Sequence, residues 1–189
     1  MKLLILDNYD SFVYNIVHII RALGYSDQLQ IFRNDKIQLE EVASFDKILL
    51  SPGPGIPSEA GIMRELVQTY GSSKSIFGVC LGHQCIGEVY GASLTNLSEV
   101  YHGLAIPTNI IKQDKLFKNI PSRITCGRYH SWAINPSSNL ENIEITAQDD
   151  EGNIMAIRHK SYNVCGVQFH PESVMTEHGV KIIQNWLED

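Results

Sequence analysis

Cys80 stands in the string Ile76-Phe77-Gly78-Val79-Cys80-Leu81-Gly82-His83-Gln84, where a short apolar run ends in Gly-x-Cys-x-Gly and a helix-like segment follows. That is the pattern of a nucleophile elbow, with sulfur in place of a serine oxygen. Glycine on either side lets the backbone turn sharply and leaves room around the side chain. The thiol then lies at the end of a strand and the start of a helix, and a helix N-terminus favours the thiolate, the form that attacks. Cys85, Cys126 and Cys165 lack such flanks and read as small buried hydrophobes.

A nucleophile needs a base, and the base needs an orienting group. Both are expected from Gly166-Val167-Gln168-Phe169-His170-Pro171-Glu172-Ser173. Asn163 to Phe169 reads as a short strand that Pro171 ends, which leaves His170 at a strand edge. Glu172 is two residues on, and in extended backbone such residues face the same way. Its carboxylate is then expected on one imidazole nitrogen, with Cys80 at the other. An isolated H-x-E would be a surface pair; beside an elbow it predicts the triad Cys80–His170–Glu172. His83 is a rival base by proximity, although packing suits it better. His130 suits a loop position under the site, while His18, His102, His159 and His178 read as surface or interface residues. A zinc deaminase reading of His170-Pro171-Glu172 fails for want of P-C-x-x-C.

Acyl transfer also needs donors where the oxyanion develops. Ser51-Pro52-Gly53-Pro54-Gly55 is a rigid loop at the end of a predicted strand, and the Gly55 and Leu81 N–H groups are its candidate oxyanion donors; a plain connecting turn is the alternative. Gln84, four residues after Cys80, lies on the same helix face and can both donate to and accept from an amide or amino-acid substrate. Neither G-x-x-x-x-G-K-[ST] nor G-x-G-x-x-G occurs.

These groups must be held by a scaffold, and the order of elements predicts one. Apolar runs at Lys2–Leu6, Gln28–Phe32, Asp46–Leu50 and Ser75–Val79 alternate with helical patterns at Phe12–Leu23, Leu39–Ser44, Ala60–Tyr70 and Gly82–Tyr90. Asn8 to Ser11 is positioned to cap the first helix. The alternation predicts an α/β fold: a three-layer, doubly wound, mostly parallel sheet with helices on both faces. From about Ser93 the texture changes to strand-like runs at Tyr101–Ile111, Ile143–Gln148 and Ile154–Arg158, a smaller antiparallel β portion. A helix over Val174–Leu187 closes the chain.

The chain of 189 residues fits one domain. Net charge of −6 without basic runs argues against nucleic acid. No apolar run is long enough to span a membrane or to form a signal-peptide core. Four cysteines without close pairing suggest neither a disulfide framework nor a zinc site. A cytoplasmic, reduced setting fits, and the sequon Asn96-Leu97-Ser98 is then without consequence.

The strings SPGPG, GVCLGHQ, RYHS and GVQFHPES, in that order over nearly the whole chain, resemble a class I (triad-type) glutamine amidotransferase. With the opening LILDNYDSFVYN the chain most resembles the glutaminase component, component II, of anthranilate synthase or aminodeoxychorismate synthase. The resemblance implies hydrolysis of L-glutamine to glutamate and ammonia, with Cys80 as nucleophile, His170 as base and acid, and Glu172 as its partner. It implies that Gly53, Pro54 and Gly55 form the glutamine and oxyanion loop and that Gln84 contacts glutamine. The backbone of Ser131 and Trp132 would hold the substrate's amino-acid end. Ammonia would pass to a partner synthase, component I, that aminates chorismate with its own Mg²⁺; no cofactor or metal is implied in this chain.

Ser173-Val174-Met175-Thr176-Glu177 looks closer to the anthranilate branch, tryptophan biosynthesis, than to the folate branch. Trp132 stands where the family has Leu, and Leu104 where Lys is usual near the partner. A γ-glutamyl hydrolase on the same fold and a non-enzymatic binding module are the other readings.

Overall fold

The computed structural model describes residues 1–97 and 99–189; Ser98, and with it the sequon, lies outside the described residues. Its first half alternates strands and helices: β1 (Leu3–Asp7), α1 (Val13–Ala22), β2 (Leu29–Arg33), α2 (Leu39–Val42), β3 (Lys47–Leu50), a 3₁₀ turn (Pro57–Glu59), α3 (Met63–Tyr70), β4 (Ser75–Val79) and α4 (Leu81–Val89). The second half holds β5 (Leu94–Asn96), β6 (Leu104–Ile110), β7 (Arg123–Arg128), β8 (Trp132–Ile134), β9 (Ile143–Asp149), β10 (Ile154–His159), β11 (Val164–Val167) and α5 (Gly179–Glu188).

One nine-stranded sheet runs β2-β1-β3-β4-β11-β10-β9-β6-β7. Its first five strands are parallel and the remaining four join antiparallel. The antiparallel portion expected from the sequence therefore continues the main sheet, while β5 and β8 form a separate two-stranded ribbon.

β1 shows how the sequence dictates the layers. It is an unbroken apolar strand, as strands covered on both faces are. Leu3 and Ile5 join a core with Val13, Ile16 and Ile20 of α1 and Ile182, Ile183 and Trp186 of α5. Leu4 and Leu6 point the other way, to Met63, Leu66 and Val67 of α3 and Ile86 of α4. Successive side chains alternate across a strand, so one run serves two cores.

Several element ends depart from the sequence reading; the strand expected over Asn163–Phe169 covers only Val164–Val167, and three helix starts also differ. The first helix has Phe12 as its cap residue and no side-chain cap; Asp10 Oδ1 accepts from Phe12 N at 2.7 Å, one residue outside the helix. In the segment Ala60–Tyr70 the helix begins only at Met63, after a 3₁₀ turn that ends at Glu59. The last helix starts at Gly179, not Val174, because residues 171–178 are a string of turns ending in a left-handed His178 (φ 58°).

The carboxyl ends of β3, β4 and β11 lie side by side. They release the SPGPG loop, Cys80 and the segment leading to His170, the placement expected of ligand-facing groups in open α/β sheets. The tightest approach beneath them is at Gly82, where a Cβ would fall 2.4 Å from the Leu50 carbonyl oxygen, so only glycine lets α4 sit this close to β3. Gly82→Ala is expected to cost about 1–3 kcal/mol in thermal or urea unfolding, and a parent-like melting curve would show that the elbow can give way.

Candidate active site

Cys80 occupies φ 51°, ψ −100°, outside both the strand and helix regions. Such a backbone is strained for a residue with a Cβ and persists only where its surroundings hold it. Here Cys80 N donates to Val167 O at 2.9 Å and Cys80 O accepts from Gln84 N at 3.0 Å, which ties the turn to β11 and α4. The side chain is 6% exposed.

His170 and Glu172 are both buried, and His170 Nδ1 is 2.7 Å from Glu172 Oε1. They meet through a turn rather than along extended backbone: Ser173 N donates to His170 O at 3.1 Å, closing the chain around Pro171 and Glu172. The turn is pinned to β7, with His170 N donating to Gly127 O at 3.0 Å, Thr176 Oγ1 donating to His170 O at 2.6 Å and Gly127 N to Thr176 Oγ1 at 2.9 Å. Phe12 and Tyr129 set their rings edgewise to the imidazole, centroids 5.6 and 5.0 Å away.

Burial pulls the His170 pKa down, but Cys80 and Glu172 together outweigh it and carry it up to about 10. No Cys80–His170 hydrogen bond of ordinary geometry is formed, and Nε2 has no such partner among the described residues. Cys80 thus favours the charged ring without a hydrogen bond of ordinary geometry, and hydrogen bonds at active sites are often long or poorly aligned before substrate binds.

A cleft of about 210 Å³ opens over Cys80, lined by Gly53, Pro54, Gly55, Gln84, Tyr101, His130, Ser131 and Trp132 among others. It is smaller than the ~300–1,000 Å³ of pockets for drug-sized ligands and suits something the size of an amino acid. Of the residues expected from the sequence, Leu81, His170 and Glu172 are not in its wall. The Leu81 side chain is buried against Gly53, where a Cβ would lie 2.8 Å from Leu81 Cδ2 and 2.6 Å from Asn8 Cβ. As the first residue of α4, Leu81 has an N–H that no preceding helical turn can accept, which leaves it available as a donor. Gly55 has a left-handed φ of 74°.

The far wall comes from the segment between β7 and β8. Arg128 and Asp149 form a buried ion pair at 2.6 Å. Arg128 Nε donates to His130 Nε2 at 3.1 Å, and His130 Nδ1 is 2.8 Å from the Trp132 carbonyl. Burial, then the Arg128 charge, depress the His130 pKa to about 3, so it is neutral. Gln84 Nε2 also donates to Trp132 O, at 2.8 Å. Ser131 O accepts from Leu97 N at 2.7 Å, so both carbonyls are already taken and a ligand would meet the N–H side of this segment.

His83 is fully buried with both ring nitrogens unpartnered among the described residues, and burial lowers its pKa to about 3, which does not suit a base at neutral pH. His102, expected at the surface, is exposed but also lines the cleft. Burial pushes the Cys85 and Cys126 thiols up to about 12, so neither rivals Cys80. Sequence reasoning missed Phe12, Tyr129 and Arg128, because nothing in their local pattern points to a place at the site.

A raised His170 pKa means that folding favours the protonated ring. Its contribution to stability is complete below about 6.5 and is lost as pH rises through about 10. Cys80→Ala removes one of the raising partners, and the His170 midpoint measured by imidazole NMR should fall. An unchanged midpoint would contradict the coupling.

The model of the glutamine amidotransferase class-I family matches residues 4–189. A multifunctional tryptophan biosynthesis protein of Phycomyces blakesleeanus is 43% identical over 99% of the chain, which spans 24% of that protein's length. The aminodeoxychorismate/anthranilate synthase component 2 of Bacillus subtilis is 40% identical over 98% of the chain and 95% of its own length. A crystal structure of a protein from Thermoplasma acidophilum, named for the GMP synthases, superposes with a TM-score of 0.87 at 25% identity, covering 100% of this chain and 92% of that one. With an elbow cysteine, a buried His–Glu pair and an amino-acid-sized cleft on the same fold, this chain belongs to the class-I glutamine amidotransferases.

Proposed function

We propose that residues 1–189 act as one glutaminase domain, hydrolysing L-glutamine to glutamate and ammonia with Cys80, His170 and Glu172 as its triad. The observation that carries the reading is the coupling at the elbow. A buried imidazole lies against a buried carboxylate, that carboxylate and the elbow sulfur together favour its protonated form, and the sulfur itself lines a small cleft with Gly55, Ser131 and Trp132.

In this mechanism the Cys80 sulfur attacks the carboxamide carbon of glutamine. The oxyanion is held by the N–H groups of Gly55 and Leu81. His170 gives its proton to the departing nitrogen, the C–N bond breaks and ammonia leaves a γ-glutamyl thioester. Neutral His170 then takes a proton from water, the hydroxide attacks the thioester and the Cys80 sulfur departs. Glu172 holds the ring in one orientation throughout and opposes its loss of charge. Gly53, Pro54, Gln84, Ser131 and Trp132 bind the amino-acid portion.

The partner in this reading is a chorismate-using component I, of the anthranilate branch, with the aminodeoxychorismate branch as the alternative. Relatives named for each branch or both match at about 40% identity. An apolar rim supports a docking face: Val100 beside the cleft, Leu104 on β6 and Val174 in the turn after Glu172 are all exposed. The Mg²⁺ of the amination step belongs to the partner, and no step above is routed through it.

Glutamine turnover by Cys80→Ala should fall about 10³-fold or more, with the melting curve retained. Glu172→Gln should fall less than His170→Ala, since it disturbs orientation and not the proton carrier. Parent-like turnover in Cys80→Ala would end the reading. Pairing the chain with each component I and following ammonia-dependent product would choose the branch, and hydrolysis of γ-glutamyl peptides in preference to glutamine would point to the hydrolase instead.

A further inference from the structure

Gln168 lies two residues before His170 and takes no part in the steps above, yet it is fully buried against the nucleophile. Its Nε2 is 3.6 Å from Cys80 Sγ, and its Oε1 accepts from Gln84 Nε2 at 3.2 Å. Which end of each carboxamide faces which neighbour follows from the partners themselves. A guanidinium can only donate, so His130 Nε2 is the acceptor for Arg128 Nε and the ring hydrogen sits on Nδ1. Nδ1 therefore donates to the Trp132 carbonyl. A carbonyl only accepts, so Gln84 must also turn Nε2 toward it. The second hydrogen on Gln84 Nε2 goes to Gln168, which must present Oε1. The remaining end of Gln168, its N–H₂, is thereby aimed at the sulfur. The usual ambiguity between amide oxygen and nitrogen is removed by the network.

We infer that Gln168 is a further catalytic residue of the proposed glutaminase: a buried N–H donor to the Cys80 sulfur, its polarity locked from the Trp132 carbonyl through Gln84. The inference rests on Cys80 being the nucleophile. A donor aimed at sulfur stabilises it when charged, both before attack and when it leaves the thioester. The same lock uses both hydrogens of Gln84 Nε2 and leaves Gln84 Oε1 as the free end of that side chain.

The test is alkylation of Cys80 by iodoacetamide, followed by peptide mapping across pH on the whole chain, without glutamine. Gln168→Met keeps the length and removes the donor. Its labelling at pH 7 should be about tenfold slower, the effect of one hydrogen bond to a charged group. The labelling profile should move to higher pH, while KM for glutamine changes less than kcat. A folded Gln168→Met whose profile overlays the parent's would reduce Gln168 to packing and overturn the inference. Should that variant fail to fold, Gln84→Leu releases the lock from outside: slower labelling at pH 7 supports the inference, and unchanged labelling overturns it. Labelling does not need turnover, so a parent chain inactive on glutamine would count against the glutaminase reading alone.

Discussion

The positive-φ backbone at Cys80 is the constraint on which the rest of the site depends. A residue with a Cβ does not hold φ 51°, ψ −100° without cost. The surrounding contacts leave no alternative: Gly82 lies against the Leu50 carbonyl, Gly78 lies against Gly82, and the Cys80 amide is bonded to β11. Relaxing the turn would pull α4 away from β3 and expose apolar side chains of both. The energy that holds the sulfur up is therefore the burial of Leu50, Leu81 and Ile86 beneath it.

The parallel half of the sheet gives the sulfur a platform, and the antiparallel half gives it an environment. β11 is the hinge between the two, parallel to β4 on one side and antiparallel to β10 on the other. It delivers Gln168 and His170 beside the elbow, while β7 fixes the turn after it through Gly127. The buried Arg128–Asp149 pair belongs to this half. Removing one partner of such a pair leaves an uncompensated charge, so the pair fixes geometry more than it adds net stability. Asp149 is itself held by the N–H groups of Glu151 and Asn153 and by the Asn153 side chain, so the strut begins in a satisfied turn.

Most of this was legible where the sequence signal is local. Ser75–Val79 is a continuous apolar run ending at a Gly-flanked cysteine, and strand, elbow and helix all follow from it. The chain after Phe169 was harder. Pro171 marks the end of a strand but not what comes next, and Val174–Glu177 carries enough helical pattern to suggest a helix, which is prevented as Thr176 N donates to Ser173 O within the turn and Glu177 N donates to Thr125 O on β7. Gln168 was invisible for another reason. In a string read as a buried strand, a glutamine is an anomaly that only its partners explain, and those partners, Cys80 and Gln84, lie more than eighty residues away.

Burial gives these groups their strength. A neutral N–H facing sulfur is a weak interaction in water, and an imidazole beside a carboxylate is partly screened there. At Cys80 the rings of Phe12 and Tyr129 cover His170, and Gln168 is sealed behind the sulfur, so each dipole acts at a low local dielectric. The same seal explains why unpartnered atoms are found here. His170 Nε2 and Glu172 Oε2 are buried without hydrogen bonds among the described residues, a cost that a purely structural pair would have no reason to carry. Nε2 is left with its hydrogen-bonding capacity unused in surroundings of low dielectric. The desolvation that leaves it unsatisfied also strengthens any hydrogen bond that it comes to make.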